Sequence, residues 1–219
     1  MTDQTSPASA AAPAMLPRGM FLLAIFYGGM VPLGGFLGAK QVALGPLAVE
    51  AGIFPFLTLV AISSAYAELY GRAVADRLVW FGFIPLVVAI ALALFVLQLP
   101  TDPGMYPPAK DAFPIIVGQS WRMMAAGILA YGTSVTLNIW LFDRLRGATG
   151  NAGVRGFIAA ALSQIVDTLI FITVSFLGER AIGTLLAGQM LAKVVLSLVL
   201  VPFLVTGFVA LGRRLDSRT

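Results

Sequence analysis

Six long apolar stretches, separated by short polar turns, organise the chain. Each has the roughly 20 apolar residues that a helix rising 1.5 Å per residue needs to cross a bilayer. The stretches cover approximately residues 19–38, 52–70, 78–99, 119–142, 155–177 and 184–211. The pattern therefore predicts an all-α integral membrane protein with six transmembrane helices.

The first stretch is interrupted, because its segment YGGMVPLGGFLG holds five glycines and a proline. We expect a broken helical pattern here. Gly34 and Gly38 have the four-residue spacing that lets a neighbouring helix approach closely. Interrupted helices also line the cavities of transporters, which is the alternative interpretation. We favour close packing over a direct contact with a ligand.

Polar segments flank the predicted helices. Residues 1–17 are rich in Ala, Ser and Pro and predict a disordered tail. Residues 18–212 form the predicted transmembrane domain, and residues 213–219 form a short C-terminal tail. The segment LPTDPGMYPPAKDAFP, at 99–114, carries several prolines and predicts an irregular loop. A cap over a cavity and a plain connector explain this loop equally well.

Composition agrees with a membrane protein. Of the 219 residues 59% are hydrophobic and only 11% charged, whereas soluble domains average about 25% charged residues. Cysteine and histidine are absent, which removes thiolate nucleophiles, the commonest general base and the commonest metal ligand. The sequence also lacks a phosphate-binding loop and a metal-binding acidic repeat. We therefore expect a carrier rather than an enzyme, without a cofactor or metal.

The basic residues predict the topology. With six helices, one side of the membrane holds nine of them and the other side holds four. The larger set is Arg18, Arg72, Arg77, Arg144, Arg146, Arg155, Arg213, Arg214 and Arg218, and the smaller set is Lys40, Lys110, Arg122 and Arg180. Because cytoplasmic loops carry the excess of positive charge, both termini are predicted to be cytoplasmic. The scattering of basic residues also argues against a nucleic acid partner.

Asp167 is the strongest candidate for function, because it lies near the middle of the fifth predicted helix, where a charge is costly. Gln164 and Ser163 lie three and four residues before it on the same helical face, and Thr168 extends that face. Together they offer a carboxylate, an amide and two hydroxyls, which suit a small ligand rich in N–H donors. A purely structural pair between Asp167 and Lys193 is the alternative.

Four further polar residues stand out in or beside the predicted helices. Lys193 lies too deep in the last helix for an ordinary interface lysine, although its long side chain can reach toward the surface. Glu68 lies near the end of the second helix, where an i, i+4 ion pair with Arg72 explains it as well as function does. Arg122 opens the fourth helix, and Asn138 lies near its other end. We keep all four as candidates for binding or gating.

Three segments give the chain a resemblance to a known family. They are FPFLTLVAISSAYAELYGRAVADRLVWFGF, WRMMAAGILAYGTSVTLNIWLFDRLRG and VRGFIAAALSQIVDTLIFITVSFLG, and the last helix adds LAKVVLSLVLVPFLV. The third is the most specific, with Arg155 followed twelve residues later by Asp167 and then Thr168. Over most of residues 50–205 the chain resembles the queuosine precursor transporters, also called the vitamin uptake transporter family.

The resemblance implies import of a 7-deazaguanine base across the bacterial inner membrane. Such a base is 7-cyano-7-deazaguanine or 7-aminomethyl-7-deazaguanine. Asp167 and Gln164 would bind this substrate. The remaining charged residues would gate the path, orient the substrate or supply a counter-charge, and they are Arg155, Glu68, Arg122 and Lys193. The family fold further implies a likeness to the substrate subunits of energy-coupling factor transporters.

Several positions depart from the family pattern and leave the substrate open. At these positions family members usually carry an acid, a serine or a glutamine, and here they are Ser64, Ala126, Val135, Asn138 and Ala159. The alternative function is therefore a membrane subunit that captures a related vitamin or nucleobase and docks on a separate energising complex. An intramembrane enzyme that uses only Asp and Glu is a third reading. We expect lipid to surround the chain, and association with a second copy stays open.

Overall fold

Seven α-helices and one short β-hairpin make up the described part of the chain. The computed structural model describes residues 16–44, 47–118, 121–178 and 182–217, without the side chains of residues 44, 47–48, 121–125 and 184–185. The helices are α1 (Arg18–Gly38), α2 (Ile53–Tyr70), α3 (Arg72–Leu97), α4 (Pro107–Val117), α5 (Trp121–Arg144), α6 (Ala152–Phe176) and α7 (Gly183–Asp216). The hairpin pairs β1 (Gln41–Leu44) with β2 (Leu47–Glu50) in antiparallel register.

Each of the six predicted segments contains one long helix, so the prediction of an all-α membrane protein is confirmed. Five of these helices are long and apolar enough to cross a membrane, namely α1, α2, α3, α6 and residues Leu186–Asp216 of α7. The sixth, α5, has 24 residues but a mixed polar and apolar sequence. The described residues therefore provide five candidate crossings and one further long helix packed among them.

The first helix differs from its prediction, because α1 runs unbroken from Arg18 to Gly38 through Pro32. A membrane bundle tolerates such a proline where neighbouring groups satisfy the freed backbone carbonyl. The expected approach of a neighbouring helix at Gly34 and Gly38 does not occur, because a Cβ on either glycine would meet nothing within 4 Å. The close contact is instead with the connection before α2. A Cβ on Gly52 would lie 2.6 Å from the carbonyl oxygen of Gly34 and 3.1 Å from the Cα of Gly38. The chain that enters α2 therefore presses against the end of α1.

The connection at 99–114 is predicted to be irregular, and this is wrong for its second half, which begins α4 at Pro107. Pro107 and Pro108 lie in the first helical turn, where a missing N–H removes no hydrogen bond. α4 packs against α3. The hairpin β1–β2, which the sequence pattern does not predict, occupies the connection between α1 and α2.

The two predicted tails are described only in part. Residues 1–15 and 218–219 lie outside the described residues, and residues 16–17 precede α1 without regular structure. Residues 213–216, at the start of the predicted C-terminal tail, continue α7. Arg213 and Arg214 favour that continuation, because positive charge in the last turn of a helix is stabilising.

Hydrogen bonds hold the start of α1 and the end of α7 together at one end of the bundle. The backbone N–H of Gly19 donates to Oδ1 of Asp216 at 2.7 Å. The hydroxyl of Tyr70 donates to Oδ2 of the same carboxylate at 2.8 Å. Glu68 lies in the same last turn of α2, so we name this the Glu68 end, and the opposite end, with β1 and β2, the hairpin end. Both described chain ends therefore lie on one side of the bundle.

The outer surface of the bundle is apolar, whereas its interior is polar in places. Trp80 and Phe81 on α3 and Phe203 on α7 are 70%, 66% and 77% exposed, as suits contact with lipid. Every buried polar or charged side chain among the described residues lies on α2, α5, α6 or α7. Because such groups are costly at membrane depth, these four helices are where a functional site is expected.

Candidate functional site

A cavity of about 190 Å³ lies among the helices, with α1, α2, α3, α5, α6, α7 and β2 all contributing to its wall. Most of the wall is apolar. Its aromatic residues are Phe56, Tyr131 and Phe171, and its charged residues are Glu50, Asp167 and Lys193. Binding sites for small molecules typically combine an apolar cavity with a few polar groups that fix the ligand's orientation. The cavity is therefore the best candidate for a ligand site.

Glycines keep part of this cavity open. Gly34 and Gly35 of α1 and Gly127 of α5 line the wall, and a Cβ built on any of them would meet nothing within 4 Å. Gly34 and Gly38 also contact the chain at Gly52. Gly34 and Gly38 thus line the cavity and lie against the connection before α2.

Asp167 of α6 lies in the cavity wall between two neighbouring helices. Its Oδ2 forms an ion pair with Nζ of Lys193 at 3.0 Å. Its Oδ1 accepts a hydrogen bond from the hydroxyl of Ser134 at 3.2 Å. Asp167 and Lys193 are only 6% and 7% exposed, so the predicted pair is confirmed and buried. Since a carboxylate accepts about four hydrogen bonds, Asp167 keeps capacity for N–H groups of a ligand.

Tyr131 of α5 lines the cavity and pairs with Tyr27 of α1. The hydroxyls of Tyr131 and Tyr27 are 2.7 Å apart and form a buried hydrogen bond. The ring of Phe83 packs edge-on against Tyr131, with ring centroids 5.1 Å apart. Gly82 makes room for the pair, because a Cβ there would lie 2.5 Å from the Tyr131 hydroxyl and 2.9 Å from the Tyr27 ring. The ring of Tyr131 is thus held rigidly in the cavity wall.

Six fully buried polar residues form a layer between the cavity and the Glu68 end. This polar layer consists of Ser63, Ser64, Asn138, Ser163, Gln164 and Ser197. On α5 the layer residue Asn138 lies four residues from Ser134. On α6 Ser163 lies four residues from Asp167, and on α7 Ser197 lies four residues from Lys193. Each of these steps leads toward the Glu68 end and corresponds to about 6 Å along the helix. The amide nitrogen of Asn138 joins α5 to α2 by donating to the hydroxyls of Ser63 and Ser64 at 3.3 and 3.0 Å.

Several atoms of the polar layer have no hydrogen-bond partner among the described residues. They include both amide atoms of Gln164, Oδ1 of Asn138 and Oγ of Ser197. Leaving a buried polar group unsatisfied costs about 1–3 kcal/mol. Native proteins rarely leave several such groups together. The layer therefore has donors and acceptors that a ligand or water would satisfy.

Glu68 gathers positive charge at the Glu68 end. Its Oε2 lies 2.7 Å from Nη2 of Arg155 and 3.3 Å from Nη2 of Arg146, and its Oε1 lies 4.0 Å from Nη2 of Arg213. Nη2 of Arg146 also donates to the carbonyl oxygen of Ala67 at 2.9 Å. These contacts connect α2 to the 3₁₀ turn Leu145–Gly147 that follows α5, to α6 and to α7.

The predicted i, i+4 pair between Glu68 and Arg72 is wrong. Gly71 adopts a φ of 85° and separates α2 from α3, so the two side chains do not share a helical face. Arg72 instead pairs with Asp76, its own i+4 neighbour in α3, at 3.5 Å. The interface explanation of Glu68 therefore gives way to contacts between helices.

Arg155 is the most buried arginine among the described residues, at 1% exposure. Its guanidinium carbon lies 4.6 Å from the ring centroid of Phe142, a cation–π contact between α6 and α5. Its Nε and Nη1 have no hydrogen-bond partner among the described residues. Arg155 thus has only part of its hydrogen-bonding capacity in use.

The sequence candidates fall at three levels rather than in one site. Asp167 and Lys193 line the cavity, whereas Ser163, Gln164 and Asn138 belong to the polar layer, and Glu68 and Arg155 pair at the Glu68 end. Thr168 is fully buried next to Asp167 without lining the cavity. The side chain of Arg122 lies outside the described residues. Within the described ranges no group of three acidic side chains could hold a metal ion.

Sequence reasoning missed several residues in or next to the cavity wall. Ser134 could have been found, because it lies one turn from Asn138 on the same face of α5. Tyr131 could have been found as the next residue of that face, three positions before Ser134. Glu50 carries no such signal, because it lies in a four-residue strand that helical periodicity cannot detect.

Known proteins match much of this chain. Residues 50–207 match the family model described as "Putative vitamin uptake transporter". Over 144 residues the chain is 30% identical to a Bacillus subtilis (strain 168) protein named "Probable queuosine precursor transporter". That match covers 64% of this chain and spans 61% of the relative's length. No solved structure matches the chain. Because the family model covers most of the chain, from Glu50 through Lys193 and beyond, this multi-pass membrane protein belongs to the vitamin uptake transporter family.

Proposed function

We propose that the chain imports a queuosine precursor across the inner membrane of a bacterium, the substrate being a 7-deazaguanine base with a cyano or aminomethyl substituent. The family and the printed name of the Bacillus subtilis relative support this class of substrate. The observation that carries the proposal is the carboxylate of Asp167 in a mostly apolar cavity. A guanine-like base presents adjacent N–H donors, which one carboxylate can accept together.

Asp167 is the recognition residue in this proposal. Lys193 and Ser134 orient its carboxylate through the contacts at 3.0 and 3.2 Å. The aromatic wall residues Tyr131 and Phe56 provide faces against which a planar base stacks. A base that bonds to the free acceptor positions of Asp167 shares the carboxylate with Lys193, so binding weakens the ion pair between α6 and α7. This weakening is how substrate would promote movement of the helices.

The other candidate residues lie along the route from the cavity to the cytoplasm. Ser163, Gln164, Asn138 and Thr168 offer polar groups on that route. Glu68 and Arg155 form the gate that closes its far end, since their contact joins α2 to α6. Arg122 keeps the orienting role that the family resemblance implies.

The same proposal has six crossings, with the Glu68 end and both termini in the cytoplasm. α5 spans about 36 Å at 1.5 Å per residue, enough for the sixth crossing. Its polar residues Ser134 and Asn138 are fully buried against other helices, so α5 crosses without exposing them to lipid. The excess of basic residues at the Glu68 end supports this orientation.

The test is recovery of queuosine in transfer RNA. Cells that cannot make the precursor or import it receive the wild-type chain, Asp167→Asn or Asp111→Asn, and either base is supplied externally. Asp111 is the matched control, because it is an exposed acid on α4 away from the cavity. We expect Asp167→Asn to lower queuosine at least tenfold and Asp111→Asn to leave it unchanged. Full recovery with Asp167→Asn would show that this residue does not recognise the substrate.

Uptake by liposomes that contain only the purified chain separates a self-sufficient carrier from a substrate-capturing subunit. A carrier accumulates or equilibrates labelled base without other proteins. A chain that binds the base but never transports it requires an energising partner, and the proposal of an independent importer is then wrong.

A further inference from the structure

Gln164 needs an explanation that the cavity does not supply. It lies on the same face of α6 as Asp167, but three residues closer to the Glu68 end. Asp167 lines the cavity, whereas Gln164 does not. Gln164 is fully buried, and neither its amide nitrogen nor its amide oxygen has a partner among the described residues. A ligand held in the cavity by Asp167 would therefore leave this amide unused.

The unpaired atoms of the polar layer form a usable set. The amide of Gln164 offers two N–H donors and one acceptor, Oδ1 of Asn138 offers a second acceptor, and the hydroxyl of Ser197 can do either. These side chains come from α6, α5 and α7. Each lies about one helical turn from the residue of its own helix that takes part in the Asp167 contacts, namely Asp167 itself, Ser134 or Lys193. A planar base whose edge has N–H beside C=O matches this set, because an amide binds such an edge through two hydrogen bonds.

Stability alone does not account for this arrangement. A buried amide without a partner destabilises a protein, and an apolar side chain of similar size is neutral or stabilising in its place. Three helices nevertheless bring unpaired groups to one level of the bundle. That level lies between the ion pair of Asp167 with Lys193 and the ion pair of Glu68 with Arg155.

We propose that the polar layer is a second position for the same substrate, which it occupies after leaving the cavity, and that the amide of Gln164 binds it there. This inference rests on the proposed function. The base moves about 4.5 Å along α6, given three residues at 1.5 Å each. The pair of Asp167 with Lys193 opens to let the base pass, while Glu68 and Arg155 still close the route to the cytoplasm.

The test compares binding, uptake and thermal stability of Gln164→Leu with those of the wild-type chain. Leucine fills a similar volume and removes the unpaired amide. We expect the melting temperature to stay equal or rise, the dissociation constant for the labelled base to stay within about twofold, and uptake into liposomes to fall at least tenfold. Uptake within twofold of wild type would overturn the second position. A lower melting temperature with weaker binding would also overturn it, since Gln164 would then be structural.

Ser175→Ala is the matched control, because Ser175 is a buried, unpaired hydroxyl on α6 about two turns toward the hairpin end from Thr168. It should leave binding and uptake unchanged. If the wild-type chain neither binds nor imports the base, the proposed function itself fails. If wild type and Gln164→Leu bind and import the base equally well, only the proposal of a second position fails.

A thiol probe tests the same position without changing Gln164. The chain contains no cysteine, so Ser197→Cys places a single thiol in the polar layer. We expect a small thiol reagent to label it during uptake, and saturating base to slow labelling at least fivefold. An unlabelled thiol, or labelling that the base does not change, would contradict the proposal.

Discussion

Two ion pairs between helices, one at Asp167 and one at Glu68, differ in how many cations share the carboxylate. Asp167 contacts one cation, Lys193, at 3.0 Å. Glu68 lies within 4.0 Å of three cations, which are Arg146, Arg155 and Arg213. A ligand on Asp167 shares the carboxylate with only one cation, whereas Glu68 keeps two cations when a third is lost. The cavity pair is therefore suited to exchange with a substrate, and the Glu68 cluster is suited to hold an end closed.

The Asp167 pair and the Glu68 cluster also differ in how deeply their charged side chains are buried. Both side chains of the cavity pair are 9% exposed, so neither charge is well solvated. At the Glu68 end the side chain of Arg155 is 2% exposed, but those of Arg146 and Arg213 are 48% and 67% exposed. Only Arg155 should therefore contribute strongly to stability there, because exposed pairs are worth little.

The largest effect is expected from separating the charges of the cavity pair. Asp167→Ala leaves Lys193 buried without its partner, so it should lower the free energy of unfolding by about 3–5 kcal/mol. The double variant Asp167→Leu with Lys193→Met removes both charges and should recover stability to within about 1 kcal/mol of wild type. Uptake should be lost in both variants. Denaturant unfolding in detergent measures stability, and uptake in liposomes measures transport. If the double variant were as unstable as Asp167→Ala, the charges of Asp167 and Lys193 would not depend on each other alone, which would contradict the prediction.

A smaller loss should follow from removing the buried arginine of the Glu68 cluster. Arg155→Met gives up the 2.7 Å contact and the cation–π contact with Phe142, and should cost about 2 kcal/mol of unfolding free energy. Arg146→Met is the matched control in the same cluster and should cost less than about 1 kcal/mol. Equal losses would mean that burial does not distinguish these arginines.

The cavity can also be altered without touching either ion pair. Gly82→Ala places a Cβ against the hydroxyl of Tyr131 and the ring of Tyr27, so it should displace the wall of the cavity. We expect the affinity for the base to fall about tenfold, equivalent to about 1.4 kcal/mol. Gly207→Ala on α7 is the control, because its Cβ would meet nothing within 4 Å. Titration calorimetry measures both variants, and unchanged affinity in Gly82→Ala would remove Tyr131 from the site.

The smallest effect is expected at the exposed edge of the Glu68 cluster. Arg213 lies 4.0 Å from Glu68 with a side chain 67% exposed, so Arg213→Gln should change the unfolding free energy by less than about 0.5 kcal/mol. The difference should shrink further at high salt, because salt screens exposed charges. A loss as large as that of Arg155→Met would contradict the ranking by burial.

The apolar pattern predicted the long helices well, because membrane crossings impose length and composition together. The apolar pattern failed in the segments between the long helices, where no membrane crossing fixes length and composition. α4 begins with two prolines that read as a loop, and the hairpin has strands of only four residues. Pro32 predicted a break in α1, but the helix continues through it, as membrane helices tolerate.

The contacts of the candidate site were predictable only in part, again because membrane depth constrains some residues more than others. Asp167 and Lys193 were identifiable, since a charge at membrane depth is costly and its partner is the nearest opposite charge. The separation of Gln164 from the cavity was not predictable, because one helical face passes through several levels of the bundle. The three arginines around Glu68 come from different parts of the chain, so spacing along the sequence could not reveal them.

The central claim is that Asp167 recognises the substrate in the cavity. Titration calorimetry of the purified chain with a 7-deazaguanine base tests it most directly, with Asp167→Asn and the exposed control Asp111→Asn measured alongside. We expect wild type and Asp111→Asn to bind with equal affinity and Asp167→Asn to bind at least tenfold more weakly. Equal affinity in all three proteins would contradict the account.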